Sequence, residues 1–318
     1  MNIVILDQNT LTIGDVNFEK IEKLGNVSKY DAFPHTKPEL ITDACRDAEI
    51  VLINKARFTR EVIEKLPKLR YIGLFATGYN NVDIKAAREH GIDVVNAPGY
   101  SSDSVAQLVF AFIMSFATSI ADYNASVHRG EWVYSKTFAY FPYRLTELSG
   151  KTLGIVGYGA IAKRVAKIGD AFGMNVEIYS RRRYDDCPYK QVDKETLFKN
   201  ADFLSLNCPL NEGTANIINE ETIKLMKQTA FIVNTARGGC VDSCALANAL
   251  NEGRIAGAGI DVLVNEPMEE DDPLRTAKNC IITPHIAWAS IEARRRLLDM
   301  VAGSIETWMA GSPRYVVN

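Results

Sequence analysis

The run Lys151 to Ser180, KTLGIVGYGAIAKRVAKIGDAFGMNVEIYS, decides how the chain folds. Thr152 to Val156 is a short apolar, partly β-branched run of strand length, and it leads directly into Gly157-Tyr158-Gly159-Ala160-Ile161-Ala162. From Ala160 the apolar residues take helical spacing, with Ile161, Val165, Ile168 and Phe172 on one face and Gly173 as the stop. Val176 to Tyr179 then reads as the next strand. The order is strand, glycine turn, helix, strand. In that setting Gly157 permits the tight turn, Gly159 leaves no side chain between the backbone and a pyrophosphate, and the small Ala162 lets helix and strand pack closely. The phosphates would sit on the N–H groups of Ala160 and Ile161, where the helix dipole favours anions. A bare G-x-G-x-x-A arises by chance; the surrounding elements are what favour dinucleotide binding over a structural turn of the same shape.

At the end of the second strand a dinucleotide site usually carries a carboxylate for the adenosine ribose. Here Ser180 stands at that place, followed by Arg181, Arg182 and Arg183. A hydroxyl and guanidinium groups suit a 2′-phosphate, because Arg offers bidentate, charge-assisted bonds to phosphate oxygens. The expectation is NADP in preference to NAD, with Asp185 or Asp186 as the residues that would serve a ribose if NAD is used instead.

The chain has 318 residues, 47% apolar and 24% charged, with a net charge of −3, which suits two domains of middling size and gives no sign of a nucleic-acid partner. The six cysteines, Cys45, Cys187, Cys208, Cys240, Cys244 and Cys280, form no CxxC pair, so buried reduced thiols in the cytoplasm are expected. None of the four histidines, His35, His90, His128 and His285, lies at ligand spacing to a cysteine cluster, and no metal is expected. Asn2 to Asp7 enters a strand at once, without a basic leader. Val105 to Ala121 is nearly apolar all round, but its length and its Gln107, Ser115, Thr118 and Ser119 fit a buried helix better than a membrane span.

The first hundred residues alternate strand and helix: Ile3–Leu6, Ile50–Ile53, Tyr71–Phe75 and Val94–Asn96 as buried strands, with helices over Phe18–Leu24, Lys37–Cys45, Thr59–Leu66 and Val82–His90. Such alternation implies a parallel sheet covered on both faces. An aromatic-rich loop, 130–145, follows the apolar helix. Further strands are expected at Phe203–Asn207, Ala230–Asn234, Gly257–Asp261 and Cys280–Thr283, and a last helix from Ile291 to Met309. The architecture is then α/β, with a nucleotide domain (99–287) inserted into a discontinuous first domain (1–98 plus 288–318).

Three strand-end stretches carry the chemistry. Reduction of a 2-oxo acid beside a nicotinamide needs a cation for carboxylate and carbonyl, a proton donor for the developing alkoxide, and a group that keeps the donor charged. Arg237 in Asn234-Thr235-Ala236-Arg237-Gly238-Gly239, His285 in Thr283-Pro284-His285, and Glu266 in Val264-Asn265-Glu266-Pro267 supply these in turn. Singly, each has a structural reading: a His before an apolar run, a Glu-Pro turn. Their joint occurrence downstream of the glycine turn carries the weight.

These residues sit in a series of stretches that resembles the D-isomer-specific 2-hydroxyacid dehydrogenases over essentially the whole chain. The series is 76–83 (ATGYNNVD), 96–100 (NAPGY), 148–159 (LSGKTLGIVGYG), 207–210 (NCPL), 234–239 (NTARGG), 259–262 (GIDV) and Pro284-His285. The resemblance implies two parallel-sheet domains, Rossmann-like and flavodoxin-like, a catalytic set of Arg237, Glu266 and His285, and backbone amides of Thr77 and Gly78 on the substrate carboxylate. Asp261 would bond the nicotinamide carboxamide, Cys208 and Pro209 would flank the adenosine, Thr235 and Ala236 would line the cofactor, and the helix from Val105 would form a homodimer core. Ser180-Arg181-Arg182 is similar to NADP-using members, and 76–83, 96–100 and Trp288 are similar to glycerate dehydrogenases, also called hydroxypyruvate reductases. Gln107 departs from the Glu that many members have there, with no consequence assigned. The expected reaction is reduction of hydroxypyruvate to D-glycerate, or of glyoxylate. A 3-phosphoglycerate dehydrogenase, with Lys55 and Arg57 as phosphate cations, and a dinucleotide-sensing binding protein are the alternatives.

Overall fold

The computed structural model describes residues 1–31 and 37–318; His35, counted above, lies outside the described residues. The chain divides into two compact units, Met1–Ser101 with Ala289–Asn318, and Ser102–Trp288.

In the first unit β1 (Asn2–Ile5), β2 (Asn26–Lys29), β3 (Ile50–Ile53), β4 (Tyr71–Leu74) and β5 (Asp93–Val95) form a parallel sheet in the order β2-β1-β3-β4-β5. The helices α1 (Glu19–Glu22), α2 (Pro38–Cys45), α3 (Arg60–Glu64) and α4 (Ile84–Glu89) connect the strands. β3 and β4 are buried at every residue, as a parallel sheet covered on both faces requires. The alternation of short apolar runs with helical spacing foretells this architecture. β2 was not foreseen, because it is an edge strand, half-buried at Val27 and exposed elsewhere.

The second unit opens with α5 (Ser102–Thr118) and α6 (Ile120–His128), then β6 (Thr152–Val156), α7 (Ala160–Ala171), β7 (Asn175–Tyr179), β8 (Lys190–Gln191), α8 (Lys194–Asn200), β9 (Phe203–Leu206), α9 (Glu220–Leu225), β10 (Phe231–Asn234), α10 (Ser243–Asn251), β11 (Gly257–Ile260) and β12 (Cys280–Ile282). α11 (Ile291–Met309) then belongs to the first unit. The seven strands are parallel, in the order β12-β11-β10-β9-β6-β7-β8, so the winding reverses between β6 and β9. Open α/β sheets bind ligands outside the carboxyl ends of their strands at such a reversal.

The apolar segment is two helices and not one. Thr118 Oγ1 donates back to Met114 O at 2.6 Å, Ser119 takes a left-handed φ of 46°, and the two helices meet at a 55° bend. No single helix among the described residues is long and apolar enough to cross a membrane; the bent pair passes only by length and composition. Its apolar character has a local use: Phe112 of α5 fills the space that a side chain at Gly259 would need, and Phe116 stacks on Phe231 at 4.7 Å. Gln107 is exposed on this helix. Cys45, Cys208 and Cys240 are buried as expected, whereas Cys244 is exposed at the start of α10.

Candidate active site

β6, the turn and α7 form one end of the site. Gly157 has φ +94°, and a Cβ there would lie 2.5 Å from Asn207 O, so both conformation and space demand glycine. A Cβ at Gly159 would meet nothing within 4 Å; the position opens onto empty space in front of the helix. The helical ladder of α7 starts with Lys163 N to Gly159 O, so the amides of Ala160, Ile161 and Ala162 precede it and face the helix N-terminus. Among the described residues, buried side-chain atoms without a hydrogen-bond partner include Asn207 Oδ1 and Thr235 Oγ1, which lie just past β9 and β10. An open glycine cradle, a twelve-residue helix N-terminus and two orphaned polar atoms at the sheet reversal fit a dinucleotide. Asn207 was not singled out from sequence, although its place beside Cys208 in the 207–210 stretch pointed to it.

At the adenosine end, Ser180 is half-buried and Arg181, Arg182 and Arg183 are exposed. The Arg182 guanidinium lies over the Tyr184 ring at 4.6 Å, and Arg181 passes beside Gly213. Asp186 pairs with Lys163 Nζ at 3.4 Å, which engages on α7 a carboxylate that the sequence left open as a ribose ligand. Cys208 is buried against Cys240, and the hydrogen bond its thiol donates to that neighbour, together with burial, pushes it well above the ordinary range. Pro209 is exposed, and its carbonyl accepts from Thr214 Oγ1 at 2.6 Å.

The other end is built on β10, β11 and β12. Asn234, the last residue of β10, is fully buried; its Oδ1 accepts from Ala236 N and its Nδ2 donates to Arg237 O, both at 3.0 Å. This pins the Thr235-Ala236-Arg237 loop, and exposed Arg237 spends one of its five N–H donors on Ala236 O at 2.7 Å. A Cβ at Gly238 would collide with the Leu263–Val264 peptide, so glycine lets the loop after β10 close onto the loop after β11. In that second loop Glu266 Oε1 accepts from Leu263 N at 3.1 Å.

Glu266 Oε2 meets His285 Nδ1 at 2.7 Å, with both side chains about a third exposed (28% and 30%). His285 stands past β12 at φ +56°, a left-handed backbone that costs a non-glycine residue roughly 1–2 kcal/mol. Asp261, 1% exposed, accounts for that conformation. Its backbone oxygen accepts from His285 N at 2.8 Å, its Oδ1 from Ile286 N and Thr283 Oγ1, and its Oδ2 from Ala287 N. The contact therefore joins two residues nineteen positions apart that the sequence grouped by chemistry alone.

Thr77 and Gly78 follow β4 in the first unit. Thr77 Oγ1 donates to Ala97 O at 2.9 Å, and Thr77 O accepts from Asn96 Nδ2 at 2.7 Å, which ties the 76–79 loop to the chain after β5. Lys55 and Arg57, past β3, are exposed, and Lys55 N and Ala56 N donate to the buried carboxylate of Asp7.

Residues 110–287 match a family model described as the D-isomer specific 2-hydroxyacid dehydrogenase NAD binding domain. Over its whole length the chain is 41% identical to a hydroxypyruvate reductase of Blautia hydrogenotrophica, covering all of both chains. It is 39% identical to a glycerate dehydrogenase of Methylorubrum extorquens, over 99% of this chain and 98% of that one. Among solved structures, an acyclic imino acid reductase in complex with NADPH and D-Arg superposes with a TM-score of 0.88 at 30% identity, over all of both chains.

Proposed function

The chain belongs to the D-isomer-specific 2-hydroxyacid dehydrogenases, and from that premise we propose that it reduces hydroxypyruvate to D-glycerate, or glyoxylate to glycolate, with NADPH preferred over NADH. It is an oxidoreductase acting on CH–OH groups with a nicotinamide dinucleotide. The observation that carries the reaction assignment is the 2.7 Å contact of His285 Nδ1 with Glu266 Oε2.

A nicotinamide coenzyme, when bound, would supply the hydride for the carbonyl carbon. His285 in its charged form has two N–H groups; Nδ1–H donates to Glu266, and Nε2–H is the proton donor to the substrate oxygen as it becomes an alkoxide. The Glu266 carboxylate favours the charged ring and fixes its orientation. Arg237 takes the substrate carboxylate and offsets charge at the carbonyl oxygen, with its backbone held by Asn234. The amides of Thr77 and Gly78 are further donors to the carboxylate. At the other end Gly157, Gly159 and the Ala160 and Ile161 amides would hold the pyrophosphate, Cys208 and Pro209 would flank the adenosine, Thr235 and Ala236 would line the coenzyme, and Asp261 would bond the nicotinamide carboxamide. Ser180, Arg181 and Arg182 would take the 2′-phosphate. Exposed guanidinium groups and the commitment of Asp186 to Lys163 favour that reading.

A second copy of the chain is the expected partner, which makes the protein a homodimer. Phe138, Phe141, Tyr134 and Val133 in the 130–145 loop are each more than 70% exposed, an apolar display that monomers rarely leave uncovered. Six free thiols favour residence in the cytoplasm. The test is turnover of hydroxypyruvate, glyoxylate, pyruvate and 3-phosphohydroxypyruvate with each coenzyme, followed by nicotinamide absorbance. Hydroxypyruvate or glyoxylate with NADPH should give the highest kcat/KM. Dominant use of 3-phosphohydroxypyruvate would reassign the substrate, a clear NADH preference would reject the coenzyme assignment, and no turnover at all would favour a dinucleotide sensor.

A further inference from the structure

Asn234 ends β10, Asp261 directly follows the adjacent parallel strand β11, and both are almost completely buried, 0% and 1% exposed, where an unpaired polar group is costly. Their bonds form one connected set. Asp261 N donates to Asn234 O at 2.9 Å. From there Asn234 reaches forward to the backbone at Ala236 and Arg237, while Asp261 reaches across to the backbone at His285, Ile286 and Ala287 and to the Thr283 hydroxyl. The Asp261 side chain thus spends three acceptor sites on the turn that carries His285, a use distinct from the coenzyme contact that family likeness suggests for it.

We propose that Asn234 and Asp261 are positioning residues for the reduction: Asn234 sets Arg237, and Asp261 sets His285 at its distance from Glu266, both through the backbone. The inference rests on the assignment of Arg237 and His285 made above. Asp261 supplies four hydrogen bonds to residues 283–287, the turn that holds His285 in the left-handed region, so loosening Asp261 lets the His285 ring leave Glu266 without altering either side chain. Asn234 has no bond to that turn through its side chain, so its removal acts on the Arg237 end.

The two arms have separate signatures. Asp261→Asn should lower kcat about tenfold or more and move the basic limb of the reduction profile to lower pH, in the same direction as Glu266→Gln. In the double variant the limb should stay where Glu266→Gln alone puts it, because both changes remove one interaction. Thr283→Val removes a single donor to Asp261 Oδ1 and should shift the limb the same way by less, with coenzyme affinity unchanged; it carries this arm if Asp261→Asn does not fold. Asn234→Ala should raise KM for the 2-oxo acid about tenfold and leave the limb in place. A limb unmoved in Asp261→Asn and Thr283→Val, with any loss confined to coenzyme affinity, would overturn the Asp261 arm. A normal KM in Asn234→Ala would overturn the other. A parent enzyme with no basic limb, or a fully active His285→Ala, would instead remove the assignment on which this inference rests.

Discussion

The two ends of the proposed coenzyme crevice in the second unit are made differently. At the reacting end, Arg237 and His285 are surface-reaching side chains whose backbones are fixed by fully buried Asn234 and Asp261. At the adenosine end, Arg181, Arg182 and Arg183 are exposed, and the contacts seen there are a ring face and a glycine. The difference follows from the work proposed for each end. Proton transfer needs near-attack geometry, where small misplacements cost orders of magnitude in rate, whereas a phosphate is recognised by charge over a broader range of positions.

Removing the proton donor should break the reacting end most severely. His285→Ala is expected to lower kcat by roughly 10²–10⁴ while coenzyme affinity stays nearly intact, as for loss of a general acid. Steady-state turnover and coenzyme titration check this, and undiminished turnover would take His285 out of the reaction. The adenosine end should respond more mildly and in KM alone. Replacing Arg181 and Arg182 together by Ala should raise KM for NADPH about tenfold, on the order of 1.4 kcal/mol, and leave NADH and kcat unaltered. An equal effect on both coenzymes would show that these arginines do not read the 2′-phosphate.

The smallest effect concerns a charged pair with no chemistry to perform. In the first unit Arg294 of α11 forks onto Asp15 with two 2.6 Å bonds, and this guanidinium holds the Asp15 carboxyl well below its usual range. A carboxylate depressed in the folded state stabilises at pH above its unfolded value, and that stabilisation fades as pH falls through the folded value. Arg294→Met should therefore lower the melting temperature at neutral pH, and the gap from the parent should narrow below about pH 4. Thermal scans at pH 7 and pH 3 test it; a gap independent of pH would assign the loss to packing alone.

Much of the proposed reacting end is legible in the chain because each part has a local signature. The glycine turn follows a strand and opens a helix, and Arg237, Glu266 and His285 are chemically complementary types at strand ends. The positioning of Arg237 by Asn234 went unread, though an Asn two residues before an amide it can accept from is an Asx-turn signal. Asp261 was read from family likeness as a coenzyme ligand; its bonds to residues 283–287 span 22 to 26 positions and leave no periodic trace. The edge strands β2 and β8 were missed because one or both faces are solvated, and their sequences, NVSK and KQ, lack an apolar run. The break at Ser119 escaped because apolar spacing continues through it; what ends α5 is tertiary, with Thr146 N donating to Ala117 O.

The proposed proton delivery depends on the carboxylate beside the imidazole, and the pH dependence of reduction in Glu266→Gln against the parent tests it most directly. With hydroxypyruvate and saturating NADPH, the basic limb should move to lower pH in the variant, because an amide no longer favours the protonated ring. Superimposable profiles would mean that the 2.7 Å contact between Glu266 and His285 has no part in proton delivery.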